Sequence, residues 1–275
     1  MRITQAILPV AGLGTRFLPW TKVVPKELLP VGNEPIIAKL VDECLSIGID
    51  DICFVISPGK ELIPQYFNED PTLEAELARR GKSDLLTKLR AYDKVKFHIV
   101  YQHEQLGDGH AILQAAKWVQ SDHVAILFGD DLIIDERSGL QQLADTMEKV
   151  PAAEQKNAAM LCLQNVPREK TSSYGIVELA DGGEGSLKRV TGMVEKPKPQ
   201  DAPSTFGIVG KYLIPRSTFD ILPNVGSGHG GEIRLIDALI HQLKDGIPVY
   251  GCEFTGKRFD TGTPEGYKET VQALG

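Results

Sequence analysis

The sequence predicts an α/β fold: a mixed, mostly parallel central sheet flanked by helices, with a smaller β-rich region added in the second half. Three observations carry this. Short apolar runs alternate with segments of helical periodicity through about the first 150 residues, the pattern of a parallel sheet covered on both faces. Beyond about residue 158 the runs are mostly of strand type with Gly/Asp-rich connections, some extending the sheet and others forming an antiparallel layer over its edge. With 275 residues, 42% hydrophobic and 24% charged, the chain can bury a sizeable core. No internal repeat, low-complexity segment or linker divides it, so residues 1–275 read as one domain with halves of about 1–150 and about 151–275.

Taken in order, Ile7 to Ala11 is an apolar run of buried-strand type that breaks at Gly12-Leu13-Gly14. Prolines at 19, 25, 30 and 35 forbid a regular helix until after Pro35. Pro35 to Gly48 then has helical spacing, with proline in the first turn and glycine after the end. Asp51 to Ser57 is a strand; Lys60 to Phe67 and Leu73 to Ala91 are helical, the second charged and on the surface. Lys96 to Gln102 is a strand, Gly109 to Val119 a helix, His123 to Asp131 a strand ending in two carboxylates, and Leu140 to Val150 a helix. In the second half Ala158 to Val166, Tyr174 to Leu179, Leu187 to Glu195, Thr205 to Ile214 and Val249 to Phe254 read as strands, and Glu232 to Lys244 as a helix.

A net charge of −7 argues against a general nucleic-acid binder, which carries a basic face. The four cysteines (Cys44, Cys53, Cys162, Cys252) lack C-x-x-C spacing and sit in apolar runs, as buried free thiols of a reducing compartment do. No apolar stretch is long enough to span a bilayer, and the N-terminus enters strand pattern almost at once, so no signal peptide and a cytoplasmic location are expected.

The chemistry begins at the glycine turn. Gly12 and Gly14 let backbone approach a ligand, and Thr15, Arg16, Lys22 and Lys26 follow on a proline-stiffened loop. Backbone N–H groups with spaced cations suit a polyphosphate, which points to a nucleoside triphosphate. The loop is not a P-loop, since no G-x-x-x-x-G-K-[ST] occurs, nor a dinucleotide turn, since Phe17 stands where the third glycine belongs. Phe128-Gly129-Asp130-Asp131 offers carboxylates suited to magnesium, though Gly-Asp-Asp is also ordinary turn chemistry. Arg258-Phe259-Asp260-Thr261 places another acid in a short polar turn. Glu195-Lys196-Pro197 ends a strand; adjacent strand residues face opposite ways, so both reach one pocket only if the strand ends or bulges there, and on local grounds a solvated ion pair at a strand end is the favoured reading. Glu232, after Gly230-Gly231, lies in the first turn of a predicted helix, which the helix dipole favours without any function. The histidines (98, 103, 110, 123, 229, 241) show no metal spacing, and no Ser/His/Asp set is present. Ligands of open α/β sheets bind beyond the carboxyl ends of strands, where the glycine loop, Gln102 and Asp130 all lie.

These blocks in this order, GLGTRFLPWTKVVPKELLP, LGDGHA, FGDD, YGIV, VEKP, GGEIRLIDAL and RFDTGTPEGY, resemble the sugar nucleotidyltransferase family, closely its bacterial UTP–glucose-1-phosphate uridylyltransferases, from about Ile7 to Tyr267. The resemblance implies a Rossmann-like nucleotidyltransferase fold with an added sugar-binding region, UTP and glucose 1-phosphate as substrates, Mg2+ as cofactor, and a homodimer or homotetramer. It assigns nucleotide contacts to Ala11, Gly12, Gly14 and Thr15 with Glu27 nearby, the phosphates to Arg16 and Lys26, and the base to Gln102 and Gly107. It makes Asp130 and Asp260 the metal acids and puts Tyr174, Gly175, Glu195, Lys196 and Val209 at the sugar phosphate, with Lys196 on the phosphate. The first half then serves the nucleotide, the second the sugar phosphate and oligomerisation. Two residues depart from the family's pattern: Asp108 stands where an apolar residue is usual, which bears on base preference, and Trp20, expected to be harmless packing, replaces a small one.

Overall fold

The computed structural model describes residues 3–180, 185–226 and 231–275. Its strands are β1 (Gln5–Pro9), β2 (Pro30–Val31), β3 (Glu34–Pro35), β4 (Asp51–Ile56), β5 (Lys96–Tyr101), β6 (His123–Leu127), β7 (Asp131–Ile134), β8 (Ala159–Asn165), β9 (Gly175–Leu179), β10 (Leu187–Glu195), β11 (Phe206–Pro215), β12 (Val249–Glu253) and β13 (Lys257–Asp260). Its helices are α1 (Ile36–Ser46), α2 (Leu62–Gln65), α3 (Pro71–Arg79), α4 (Ser83–Leu89), α5 (Asp108–Gln114), α6 (Gly139–Met147), α7 (Ala152–Gln155), α8 (Thr218–Ile221), α9 (Leu235–Lys244) and α10 (Pro264–Leu274). His229 and Gly230 lie outside the described residues.

One nine-stranded sheet runs β5-β4-β1-β6-β11-β8-β12-β10-β9. The β5-β4-β1-β6 half is wholly parallel, as the βαβ pattern requires. From β6 onward the sheet is antiparallel except at β8–β12, which corrects the expectation of a mostly parallel sheet. The connections that link β8, β9, β10 and β11 in turn are too short for helical crossovers, and parallel neighbours need one. Nor is there a separate antiparallel layer: the same sheet curls until β9 also pairs with β11 at Gly207↔Ile176, closing β11-β8-β12-β10-β9 into a small barrel.

Alternate residues of the central strands feed two cores, because strand side chains point to opposite faces. Ala6, Leu8, Ile52, Phe54, Ala125 and Leu127 pack beneath α1 and α6; Ile7, Cys53, Val55, Val124 and Ile126 pack beneath α5 and α9. Within the first layer Lys211 is fully buried and pairs with Glu43 at 2.6 Å, while the other Glu43 oxygen accepts the Leu140 N–H at 2.7 Å at the start of α6. All four cysteines are buried and free, as read from the sequence. Among the described residues no helix is long and apolar enough to cross a membrane.

Several element expectations shift. The charged segment after Leu73 is two helices, not one, separated at Gly81 with φ +66°. The apolar strand ends at Leu127, and Asp130 sits in the turn before β7, which Asp131 opens. The turn expected around Asp260 is the end of strand β13, and α9 begins at Leu235, so Glu232 precedes the helix and does not lie in its first turn.

Candidate active site

The parallel strands β1, β4, β5 and β6 end along one edge, and the loops leaving that edge enclose a cavity of about 310 Å³. Ala11, Gly12, Lys26, Gln102, Gly107 and Asp130 line it, so residues from widely spaced stretches meet. A smaller hollow of about 190 Å³ adjoins it, walled by Gly12, Gly14, Thr15, Arg16, Lys26 and Gly262. The loop between Gly14 and Leu29 is a succession of 3-10 turns, as its prolines dictate. Gly14 adopts φ +64°, conformationally open to glycine, and the Thr21 hydroxyl donates to its carbonyl at 2.8 Å, bracing the turn.

Lys26 Nζ donates to Asp130 Oδ2 at 2.6 Å. Burial pushes the Asp130 pKa upward, but Lys26, Arg258 and Arg16 outweigh it and hold the carboxyl below its ordinary value. Burial opposes the Lys26 charge as well, and Asp130, Glu27 and Asp260 more than offset that, so its pKa is raised. Both groups are therefore charged at neutral pH. Glu27 is 1% exposed, with both oxygens accepting from Lys60 Nζ at 3.1 and 2.9 Å, while the same ammonium donates to the Val10 carbonyl at 2.6 Å. Its carboxylate thus pins the end of β1 to the loop. Burial pulls the Lys60 pKa down, against Glu27. Sequence reasoning missed Lys60; its signal is a lysine behind Gly59 just past the carboxyl end of β4.

Asp260 reaches the cleft because β13 pairs antiparallel with β7, placing Asp260 opposite Asp131. The Thr261 N–H and hydroxyl both bond the Asp130 carbonyl, at 2.8 and 3.1 Å, and Asp260 Oδ1 accepts the Gly262 N–H at 2.9 Å. A Cβ built on Gly262 would lie 2.7 Å from Asp130 Oδ2 and 3.0 Å from Asp260 Oδ1. The bare glycine leaves a cradle between two carboxylates, which suits a hard divalent cation completing its shell with phosphate oxygens and water. Among the described residues no group of three or more His, Cys, Asp or Glu could hold a metal ion. Asp131 does other work: its Oδ2 accepts the Gly210 N–H at 2.8 Å and its Oδ1 accepts from Arg258. Burial raises its pKa, with Arg258 opposing.

Tyr174, Gly175, Glu195 and Lys196 form a second group on the barrel side. Glu195 pairs with Gly175 across β10 and β9, and its Oε2 lies 3.2 Å from where a Gly175 Cβ would be. The strand stops at Glu195, and Lys196 takes the left-handed φ of +45°, rare outside glycine. Lys196 Nζ comes to 3.3 Å from Glu195 Oε1, an ion pair at the strand end with the lysine side chain 61% exposed. The Lys196 N–H donates to the Tyr174 carbonyl at 3.0 Å. The Val209 side chain is buried in the core.

At the opposite wall, the buried Gln102 amide donates to the Gly107 carbonyl at 3.0 Å, and Gly107 at φ +103° packs so tightly that a Cβ would meet the Ile233 carbonyl at 2.5 Å. Asp108 lines the cavity, yet its Oδ1 accepts the N–H groups of Gly109 at 2.6 Å and Leu235 at 3.0 Å, tying together the N-termini of α5 and α9. Glu232 lines the same cavity. Trp20 is 55% exposed.

A family model described as nucleotidyl transferase matches residues 5–275. The chain is 38% identical over 271 residues to the UTP–glucose-1-phosphate uridylyltransferase of Bacillus subtilis strain 168, covering 98% of this chain and 90% of that protein. Among solved structures, an apo UDP-glucose pyrophosphorylase superimposes with a TM-score of 0.90 at 32% identity, covering 99% of this chain and 98% of that one. A UTP-bound pyrophosphorylase from Acinetobacter baumannii superimposes with a TM-score of 0.89 at 34% identity, covering 100% and 94%.

Proposed function

This chain belongs to the nucleotidyl transferase family, in its bacterial UTP–glucose-1-phosphate uridylyltransferase branch, and on that premise we propose how its cleft works. It transfers the uridylyl group of UTP to glucose 1-phosphate, giving UDP-glucose and pyrophosphate. In the proposed arrangement the base lies against Gln102 and Gly107, and the phosphates pass over Ala11, Gly12, Gly14 and Thr15 to Arg16 and Lys26, with Glu27 supporting the wall. Glucose 1-phosphate enters from the side of Tyr174, Gly175, Glu195 and Val209, with Lys196 on its phosphate. Residues of about 1–150 then serve the nucleotide, and those of about 151–275 the sugar phosphate and subunit contacts.

Little proton chemistry is needed. The nucleophile is a phosphate monoester whose second pKa is about 6, so it is an anion at neutral pH. The difficulty is bringing two anions into line, which is positioning and charge screening by Arg16, Lys26 and Lys196. Lys26 neutralises Asp130 in the free protein and turns to the triphosphate when the carboxylate gains another partner. Mg2+ fits the cradle over Gly262; when bound there it supplies Lewis-acid neutralisation of the phosphate oxygens and of the departing pyrophosphate, held by Asp130 and Asp260.

One observation carries the reading: Arg16, Lys26 and Gly262 wall one small hollow with Asp130 bonded at its edge, although residues 16 and 262 are far apart in sequence. The test is pyrophosphate release with Mg2+ across a panel of nucleoside triphosphates and sugar 1-phosphates. UTP with glucose 1-phosphate should lead, and UTP should exceed dTTP by about 10- to 200-fold, the worth of excluding one methyl. Release from no pair would overturn the assignment. Four buried thiols fit a cytoplasmic enzyme, and the proposed homodimer or homotetramer is checked by light scattering.

A further inference from the structure

The Arg258 guanidinium touches three groups that belong to different parts of the cleft. Its Nε donates to Asp131 Oδ1, its Nη1 donates to the Tyr174 hydroxyl at 3.1 Å, and its Nη2 stands 3.7 Å from Asp260 Oδ2. The cation also lies by the Tyr174 ring, with Cζ 5.5 Å from the centroid. The Arg258 and Asp131 side chains are each 10% exposed. Asp131 is bonded in the chain to Asp130 and faces Asp260 across the β7–β13 ladder, while the Tyr174 carbonyl holds the Lys196 N–H at 3.0 Å. A buried ion pair adds little stability over well-packed apolar residues, so a reason beyond stability is called for where one joins the two strands that carry both acids. A planar fork of donors can fix several acceptors at set angles, which a lysine ammonium cannot.

We propose that Arg258 is a positioning residue that holds Asp260 and, through Asp131, Asp130 in register with Tyr174 and so with Lys196. The cation end and the sugar-phosphate end of the cleft are then one mechanical unit, although Arg258 touches neither substrate. This rests on the site reading given under Proposed function.

Tyr174→Phe removes one oxygen and keeps the ring; Arg258→Lys keeps the charge and loses the fork. For each variant and the double variant, Mn2+ binding is measured by electron paramagnetic resonance with UTP present and sugar phosphate absent, alongside the KM for glucose 1-phosphate and the melting temperature. Both single variants should weaken Mn2+ binding and raise that KM by at least about threefold, with the double variant no worse than the weaker single, as members of one network behave. Tyr174→Phe is decisive because the tyrosine belongs to the sugar side, and it serves alone should Arg258→Lys not fold. Wild-type Mn2+ affinity in Tyr174→Phe, or effects that multiply in the double variant, would overturn the proposal. A purely structural role would lower the melting temperature and leave Mn2+ affinity unmoved, which also overturns it. The wild-type protein is the control: no pyrophosphate release from it defeats the functional reading itself, whereas an active wild type with unmoved Mn2+ affinity in Tyr174→Phe defeats only this inference.

Discussion

Adding one methyl group at Gly262 tests the cradle directly. The alanine Cβ would lie 2.7 Å from Asp130 Oδ2, 3.3 Å from Asp130 Cγ and 3.0 Å from Asp260 Oδ1. Carbon–oxygen contacts settle at about 3.3–3.6 Å even where they attract weakly, so both carboxylates must retreat by about half an ångström. Gly262 does not use a left-handed backbone, so alanine meets no conformational penalty and the fold should stand. Magnesium tolerates little change from oxygen distances of about 2.0–2.1 Å. A misplacement of about 1 Å can cost about 10²-fold in rate, so roughly half that displacement, with a methyl in the same space, should lower kcat by about 10- to 100-fold. The assay is pyrophosphate release over a Mg2+ titration, with Mn2+ binding and thermal melting run in parallel. Gly262→Ala should demand more Mg2+ and melt within about 2 °C of the wild type, the response to well under 1 kcal/mol. A folded variant with wild-type kcat and an unchanged Mg2+ response would refute the placement of a cation between Asp130 and Asp260.

Other perturbations separate the cleft from the scaffold. Lys196→Ala should weaken glucose 1-phosphate use by about 1.5–3 kcal/mol, the range for a charge-assisted contact, and leave the KM for UTP unchanged; an unmoved kcat/KM for the sugar phosphate would contradict its role. Lys211→Met strands the Glu43 carboxylate in the core and should lower stability by about 3–5 kcal/mol in urea denaturation, with part recovered on adding Glu43→Gln. A loss below about 1 kcal/mol would show that the pair is not buried in the way described. His123 donates from Nε2 to the Ala158 carbonyl at 3.0 Å, its Nδ1 is buried without a partner, and burial lowers its pKa below 6.5. The unfolded chain therefore takes up this proton first as pH falls, so the stabilising contribution is complete above about pH 6.5 and is lost as pH drops toward the folded value. His123→Gln should flatten the stability slope between about pH 6.5 and 5; an unchanged slope would show that the ring titrates alike in both states.

The parallel half of the sheet was legible because β1, β4 and β6 are buried on both faces. Runs such as Asp51–Ile56 and His123–Leu127 are almost wholly apolar and stop at turn residues. The glycine loop was legible because its prolines exclude a helix locally. Barrel closure was not, since the single Gly207↔Ile176 pairing leaves no periodic signal. Nor was the β7–β13 ribbon: its strands are four residues each, and Asp131 and Asp260 meet only after the intervening chain has folded. Asp108 shows the same limit. Its residue type suggested an effect on base preference, and it does line the cavity, but the bond from the Leu235 N–H, distant in sequence, to one of its oxygens left no local signal.

The acids that hold the cleft's cations give the site its logic. Lys26 is matched by Asp130, Lys60 by Glu27, Lys196 by Glu195 and Arg258 by Asp131. A triphosphate that took Lys26 alone would strip Asp130 of its hydrogen-bonded cation, and a divalent cation that took Asp130 alone would leave Lys26 facing a like charge. Each half-exchange is electrostatically unfavourable and the full exchange is not, since every charge ends with an opposite partner. On the proposed site reading, the Lys26–Asp130 pair would favour metal and nucleotide arriving together. The pairs at Lys60 and Arg258 have buried partners, with Arg258 also 3.7 Å from Asp260 Oδ2, and they remain as the fixed frame around that exchange.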